Sequence, residues 1–137
     1  MKRVLVVDDN PTHLRITSKI AQKILGEKGR IESFSDPMEF IHAAQFGAKP
    51  DLIVIDYMMP AMDGLTALRI LRNKGINSKA MIVSAYLTDL YSKLIESNNI
   101  SVVIKKPFSI NEIGDEMAVA LGMVPGTLVG VERGDDK

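Results

Sequence analysis

Four short stretches of the chain are almost continuously apolar: Val4 to Val7, Leu52 to Ile55, Met81 to Val83 and Val102 to Ile104. Runs this short without polar alternation predict strands covered on both faces, as in a parallel sheet. A fifth, Arg30 to Phe34, is more polar and predicts a more exposed strand. Between them lie segments with apolar positions at helical spacing and recognisable starts. Asn10 can cap a helix beginning at Pro11, with Leu14, Ile20, Ala21, Ile24 and Leu25 largely on one face and Gly26 after it. Asp36, Pro37 and Glu39 repeat that start for a second helix, the Asp accepting from an early backbone N–H while Glu39 reaches back. Asp63 precedes a third helix, in which Leu65, Leu68 and Leu71 recur and which Gly75 closes. Leu90, Leu94 and Ile95 mark a shorter fourth. Ser109 and Glu112 form the S-x-x-E capping box of a fifth, with Ile113, Met117, Ala120 and Leu121 facing inward and Gly122 ending it.

Strands alternating with helices of this length imply right-handed crossovers and an α/β fold, a three-layer doubly wound sandwich around a parallel sheet. A length of 137 residues suits one domain, expected over residues 1–122. Residues 123–137 carry Pro125, Gly126, Gly130 and Gly134 and read as a tail, although Leu128, Val129 and Val131 leave it some capacity to dock.

Composition narrows the partners. Seventeen Lys plus Arg balance seventeen Asp plus Glu, so no net charge draws the chain to nucleic acid or anionic lipid. Direct nucleic-acid binding thus lacks its usual electrostatic footprint. Without cysteine there is no disulfide, thiolate metal site or cysteine nucleophile. No apolar signal-peptide core follows Met1-Lys2-Arg3, and no apolar stretch approaches the about 20 residues that cross a bilayer. A cytoplasmic protein with no membrane insertion is the expectation.

In a parallel sheet the residues after each strand's carboxyl end meet at one edge, where open α/β folds bind ligands. The first predicted strand is followed by Asp8 and Asp9, the third by Asp56, the fourth by Ser84, and the fifth by Lys105, Lys106 and Pro107. These groups converge if the five strands lie in the order 2-1-3-4-5, which sets the third beside the first. Three carboxylates close together repel, and an oxygen-only set suits Mg²⁺. Lys106 offers a second positive charge and Ser84 a hydroxyl donor to a phosphoryl oxygen. No general base is evident: His13 and His42 fall within predicted helices, away from the edge where the acids meet, and both read as helix-surface residues. The set suits accepting a phosphoryl group on a carboxylate better than hydrolysing a substrate. Asp56, central in the inferred order, is the best acceptor, with Asp8 and Asp9 holding the metal.

The Val7-Asp8-Asp9 step, the run Asp56-Tyr57-Met58-Met59-Pro60-Ala61-Met62-Asp63-Gly64, the Val83-Ser84-Ala85 step and the Lys106-Pro107-Phe108 step resemble the receiver domain of two-component response regulators. The resemblance covers about Lys2 to Gly122 and implies a flavodoxin-like fold of a stand-alone, chemotaxis-regulator-like kind. It implies that Asp56 is phosphorylated from a phosphohistidine on a sensor histidine kinase or histidine phosphotransfer protein. It further implies that Asp9, Asp56 and the Met58 carbonyl bind Mg²⁺ directly, with Asp8 acting through metal-bound water. Ser84 and Lys106 would bind phosphoryl oxygens, and a cis bond before Pro107 would aim the lysine. Lys105 is left as a surface neighbour. The family often has an aromatic switch residue three positions before the lysine; here that position is Val103. Output is expected through contacts with a downstream protein or onward phosphoryl transfer, with only weak self-catalysed phosphotransfer and dephosphorylation rather than enzymatic turnover.

Two rivals belong to other classes. A Mg²⁺-dependent aspartyl-phosphate phosphohydrolase generally needs a second acid two residues after its nucleophile, where this chain has Met58. A phosphate-independent receiver-like scaffold would have lost an acid or the lysine, and none is lost. Met58, Met59 and Met62 read as core and loop packing rather than a soft-metal site. Pro60 and Gly64 read as shapers of the loop after Asp56.

Overall fold

A computed structural model describes residues 1–85 and 99–126 of the chain. In order these are β1 (Lys2–Val7), α1 (Pro11–Leu25), a single 3-10 turn (Gly26–Lys28), β2 (Gly29–Phe34), α2 (Pro37–Ala44), β3 (Leu52–Asp56), α3 (Gly64–Asn73), β4 (Ala80–Ser84), β5 (Ile100–Lys105) and α4 (Ile110–Ala120). The predicted helix around Leu90, Leu94 and Ile95, and the tail residues Leu128, Val129 and Val131, lie outside the described residues.

The helix starts follow from their caps. Asn10 Oδ1 accepts from the backbone N–H groups of Thr12 and His13, at 2.9 and 3.0 Å. Asp36 accepts from Met38, Asp63 from Thr66 and Ser109 from Glu112, at 3.0, 2.7 and 2.9 Å. Each side chain satisfies an N–H that the helix geometry leaves without an internal partner. Gly26, Gly75 and Gly122 follow α1, α3 and α4 with φ of 62°, 85° and 77°, a region where a Cβ would be strained.

The five strands form one all-parallel sheet in the order β2-β1-β3-β4-β5. Side chains alternate across it. Leu5, Val7, Ile53, Ile55 and Ile82 face a core completed by Phe40 and Ile41 of α2 and Leu65, Leu68 and Leu71 of α3. Val4, Val6, Leu52, Val54, Met81 and Val83 face the other core, filled by Ile20 and Ile24 of α1 and Ile113 and Met117 of α4. Both faces are thus covered, which is why the central strands contain no polar alternation. The outer strand β2 is half exposed, as its polar residues predict. Among the described residues no helix is long and apolar enough to cross a membrane.

Arg3 has a role that its place beside the N-terminus concealed. Its side chain is buried, binds Glu32 of β2 through both Nε and Nη2 at 2.7 and 3.1 Å, and donates to the carbonyls of Ala43, Phe46 and Ala48 at 3.0, 2.9 and 2.6 Å. It thereby closes the end of α2 and ties the loop before β3 to the sheet. The Arg3 guanidinium in turn holds the Glu32 carboxyl below its ordinary pKa.

Gly64 decides how closely α3 approaches the end of β3. Its N–H donates to the Tyr57 carbonyl at 2.7 Å, and a Cβ placed there would lie 2.5 Å from the Asp56 backbone carbonyl oxygen. Backbone cannot yield as a flexible side chain can, so Gly64→Ala is expected to destabilise the fold by about 1–3 kcal/mol, measured by urea denaturation. An unchanged midpoint and slope would show that the loop relaxes without cost.

Candidate functional site

The register that builds the sheet also builds its carboxyl edge. Val7 pairs with Ile55, so the next step sets Asp8 beside Asp56. Asp56 pairs with Val83 of β4, which leaves Ser84 one residue further along, and Ser84 pairs with Lys105 of β5. Lys106 follows and donates its backbone N–H to the Ser84 carbonyl at 2.7 Å. With its backbone thus held at the end of β4, its side chain extends along the carboxyl edge toward β3 and β1: Nζ lies 3.2 Å from Asp8 Oδ2 and 3.3 Å from Asp56 Oδ1.

Asp8, Asp9 and Asp56 each offer a carboxylate oxygen, and these oxygens all lie within 4.8 Å of one another. Asp8 and Asp56 are buried while Asp9 is exposed. Burial raises the Asp56 pKa most, and the neighbouring Asp8 raises it further; Lys106 opposes both, and Asp9 adds a smaller push, leaving it at about 6. One ammonium therefore does not compensate the cluster. Among the described residues the acids offer oxygen donors with net negative charge, the set that a hard divalent cation such as Mg²⁺ takes, so the residues fit that ion.

The structure brings together Asp8, Asp9, Asp56 and Lys106, with Ser84 buried at the same edge. Lys105 is exposed, as expected of a surface neighbour. Met58 follows Asp56 by two residues in the loop. Its side chain is 53% exposed, which corrects the expectation of packing there, whereas Met59 is buried and Met62 packs against the core. The peptide bond between Lys106 and Pro107 is cis. Val103 is buried in the core to which α2 and α3 contribute.

One sequence reading is overturned. His13 does not lie away from the acids: its Nδ1 is 3.1 Å from Lys106 Nζ. It is the third residue of α1, which starts two positions after Asp9, and helical side chains tilt toward the N-terminus. The first turn therefore leans back over the sheet edge. That tilt, applied to a histidine so close to the cap, is the signal that could have found it. His42 is exposed on α2, its ring 4.8 Å from that of Phe46.

A doubly wound parallel sheet with acids and a lysine gathered at its carboxyl edge defines the class to which response-regulator domains belong. The family model described as the response regulator receiver domain matches residues 4–118, and the chain belongs to that family. It is 31% identical over 112 residues to the probable transcriptional regulatory protein TcrX of Mycobacterium tuberculosis, a match covering 80% of this chain and 45% of that one. It is 33% identical over 69 residues to the sensor kinase CckA of Brucella abortus, covering 50% of this chain and 7% of that protein. The chain thus spans less than half the length of either relative. Among solved structures, it is similar to the response regulator protein TrrA from Thermotoga maritima in complex with Mg²⁺-BeF, with a TM-score of 0.71, 26% identity, and coverage of 88% of this chain and 100% of that one.

Folding raises the Asp56 pKa from 3.8 to about 6, so across that window the folded chain holds a proton that the unfolded chain has released. Stability is then present at low pH and falls as pH rises toward and past 6. Asp56→Asn abolishes the charge, and the metal-free variant is expected to exceed the parent by about 2 kcal/mol at pH 7.5. That advantage should shrink toward zero near pH 4, as read by urea denaturation at both pH values. A difference independent of pH would contradict the assignment.

Proposed function

We propose that this receiver domain takes a phosphoryl group onto Asp56 from a phosphohistidine of a sensor histidine kinase or a histidine phosphotransfer protein, with Mg²⁺ bound by the acidic edge. The observation that carries the reading is the Asp56 carboxylate held 3.3 Å from Lys106 Nζ inside a cluster of three acids. Receiver domains are signalling phosphoacceptors bound to Mg²⁺ at such a pocket, and a similar structure was solved with Mg²⁺-BeF.

In the step, an Asp56 oxygen attacks phosphorus, the P–N bond of the phosphohistidine breaks, and the imidazole nitrogen leaves with the electron pair. Lys106 turns its ammonium from the Asp56 carboxylate to an oxygen of the arriving group, and the Ser84 hydroxyl donates to another. Asp9, Asp56 and the Met58 carbonyl would hold the ion directly, and Asp8 would support it mainly through water. When bound, the cation neutralises charge that builds up on the phosphoryl oxygens. Residues 1–122 constitute the functional domain, working in the cytoplasm.

The product adds about −1.5 to −2 charges and three strong acceptors to an edge whose one ammonium is already shared. Output follows through a downstream protein or onward phosphoryl transfer. Val103 in the core leaves no aromatic ring at that position to rotate, so the signal leaves through the Ser84 end of β4 and the loop holding Lys106. A phosphohydrolase reading lacks the second acid at Met58.

Incubation with acetyl phosphate and Mg²⁺ is expected to add one phosphoryl mass to the parent and none to Asp56→Asn. Labelling of the variant to the same extent would move the acceptor elsewhere. Mg²⁺ should also raise stability, by about 2.7 kcal/mol at a hundredfold excess over its dissociation constant. A melting temperature unmoved by saturating Mg²⁺ would remove the cation from the proposal.

A further inference from the structure

The geometry points to His13 as a positioning residue for Lys106, holding the ammonium over the acidic edge through its Nδ1. An ammonium has three N–H donors and no acceptor. Among the described residues, the acceptors in reach of Lys106 Nζ are Asp8 Oδ2 at 3.2 Å and His13 Nδ1 at 3.1 Å, both hydrogen-bonded, and Asp56 Oδ1, an ion pair at 3.3 Å. Because the lysine can only donate, the imidazole accepts at Nδ1 and carries its hydrogen on Nε2.

The contact closes a ring of hydrogen bonds. The Asn10 backbone N–H donates to Asp8 Oδ1 at 2.9 Å, and the Asn10 side chain accepts from the His13 N–H at 3.0 Å. His13 accepts from Lys106, and Lys106 donates back to the other oxygen of Asp8. The cap that starts α1 thus fixes the imidazole against the same carboxylate that the lysine binds. Among the three acceptors, His13 is the neutral one and the one that a hard, oxygen-seeking cation does not recruit. It keeps a hold on the ammonium when the carboxylates are drawn to a cation or when Asp56 carries an acyl phosphate. The effect on phosphoryl transfer rests on the phosphoacceptor reading above; the hydrogen bond itself does not.

Two measurements decide it. In metal-free protein near pH 8, imidazole ¹⁵N–¹H correlation spectra should show His13 as a single Nε2–H tautomer with the Nδ1 shift of an acceptor. In Lys106→Met that signature should disappear, and identical His13 signals in both proteins would overturn the contact. With acetyl phosphate and Mg²⁺, His13→Leu should accept phosphate about 3- to 10-fold more slowly than the parent. His13→Asn, which returns an acceptor oxygen, should recover most of that loss. Both variants are first checked by circular dichroism for folding. Equal rates for the parent and His13→Leu, or an Asn variant as slow as the Leu variant, would overturn the positioning role. Absence of labelling in the parent beyond that of Asp56→Asn would instead end the phosphoacceptor reading, with the spectra still deciding the hydrogen bond.

Discussion

The folded edge depends on a single ammonium shared between carboxylates that come from different strands. Asp8 and Asp56 are brought together by the pairing of β1 with β3, and nothing in that pairing relieves their repulsion. Lys106 supplies the relief: its backbone is held at the end of β4 and its long side chain carries the ammonium to both carboxylates. The relief is incomplete, because Asp56 still ionises with difficulty. An edge left with excess negative charge and a poorly compensated carboxylate is costly to the fold and attractive to a cation. The instability and the chemistry have one origin.

The rest of the molecule keeps that edge in register. Two apolar cores, one on each face of the sheet, hold the strands so that their carboxyl ends coincide. Gly64 lets α3 start directly against the Asp56 carbonyl, and the Asn10 cap starts α1 directly after the acid pair. Rigid elements therefore end within a few residues of every charged group. Lys106 also joins strands by two separate links, its ammonium to β3 and to Asp8 just beyond β1, and its backbone N–H to the end of β4. A change in what its ammonium binds is felt at both places.

Much of this was legible in the chain order. The caps at Asn10, Asp36, Asp63 and Ser109 and the apolar runs at β1, β3, β4 and β5 are local signals, and local signals survive folding when the surroundings agree with them. The acids and the lysine could be placed because a parallel sheet sends all its carboxyl ends one way. His13 was not legible as a site residue: its contact with Lys106 joins positions far apart in the chain, and a periodicity argument assigns a helix face without saying what lies beyond the helix end. The role of Arg3 is hidden for a similar reason, since Glu32 lies far along the chain and its other acceptors are carbonyls, which every residue has. At Met58 residue type alone predicts packing, whereas its loop leaves the residue exposed.

By itself the sequence determined the strand and helix types, the layered class of fold and the residue chemistry available at one edge, because hydrophobic period and capping act over a few neighbouring residues. The tertiary structure decided which carboxylates share the ammonium, how far burial resists ionising Asp56, and that an imidazole accepts from the same lysine. Those depend on distances of a few ångströms between segments that only the packed sheet brings together.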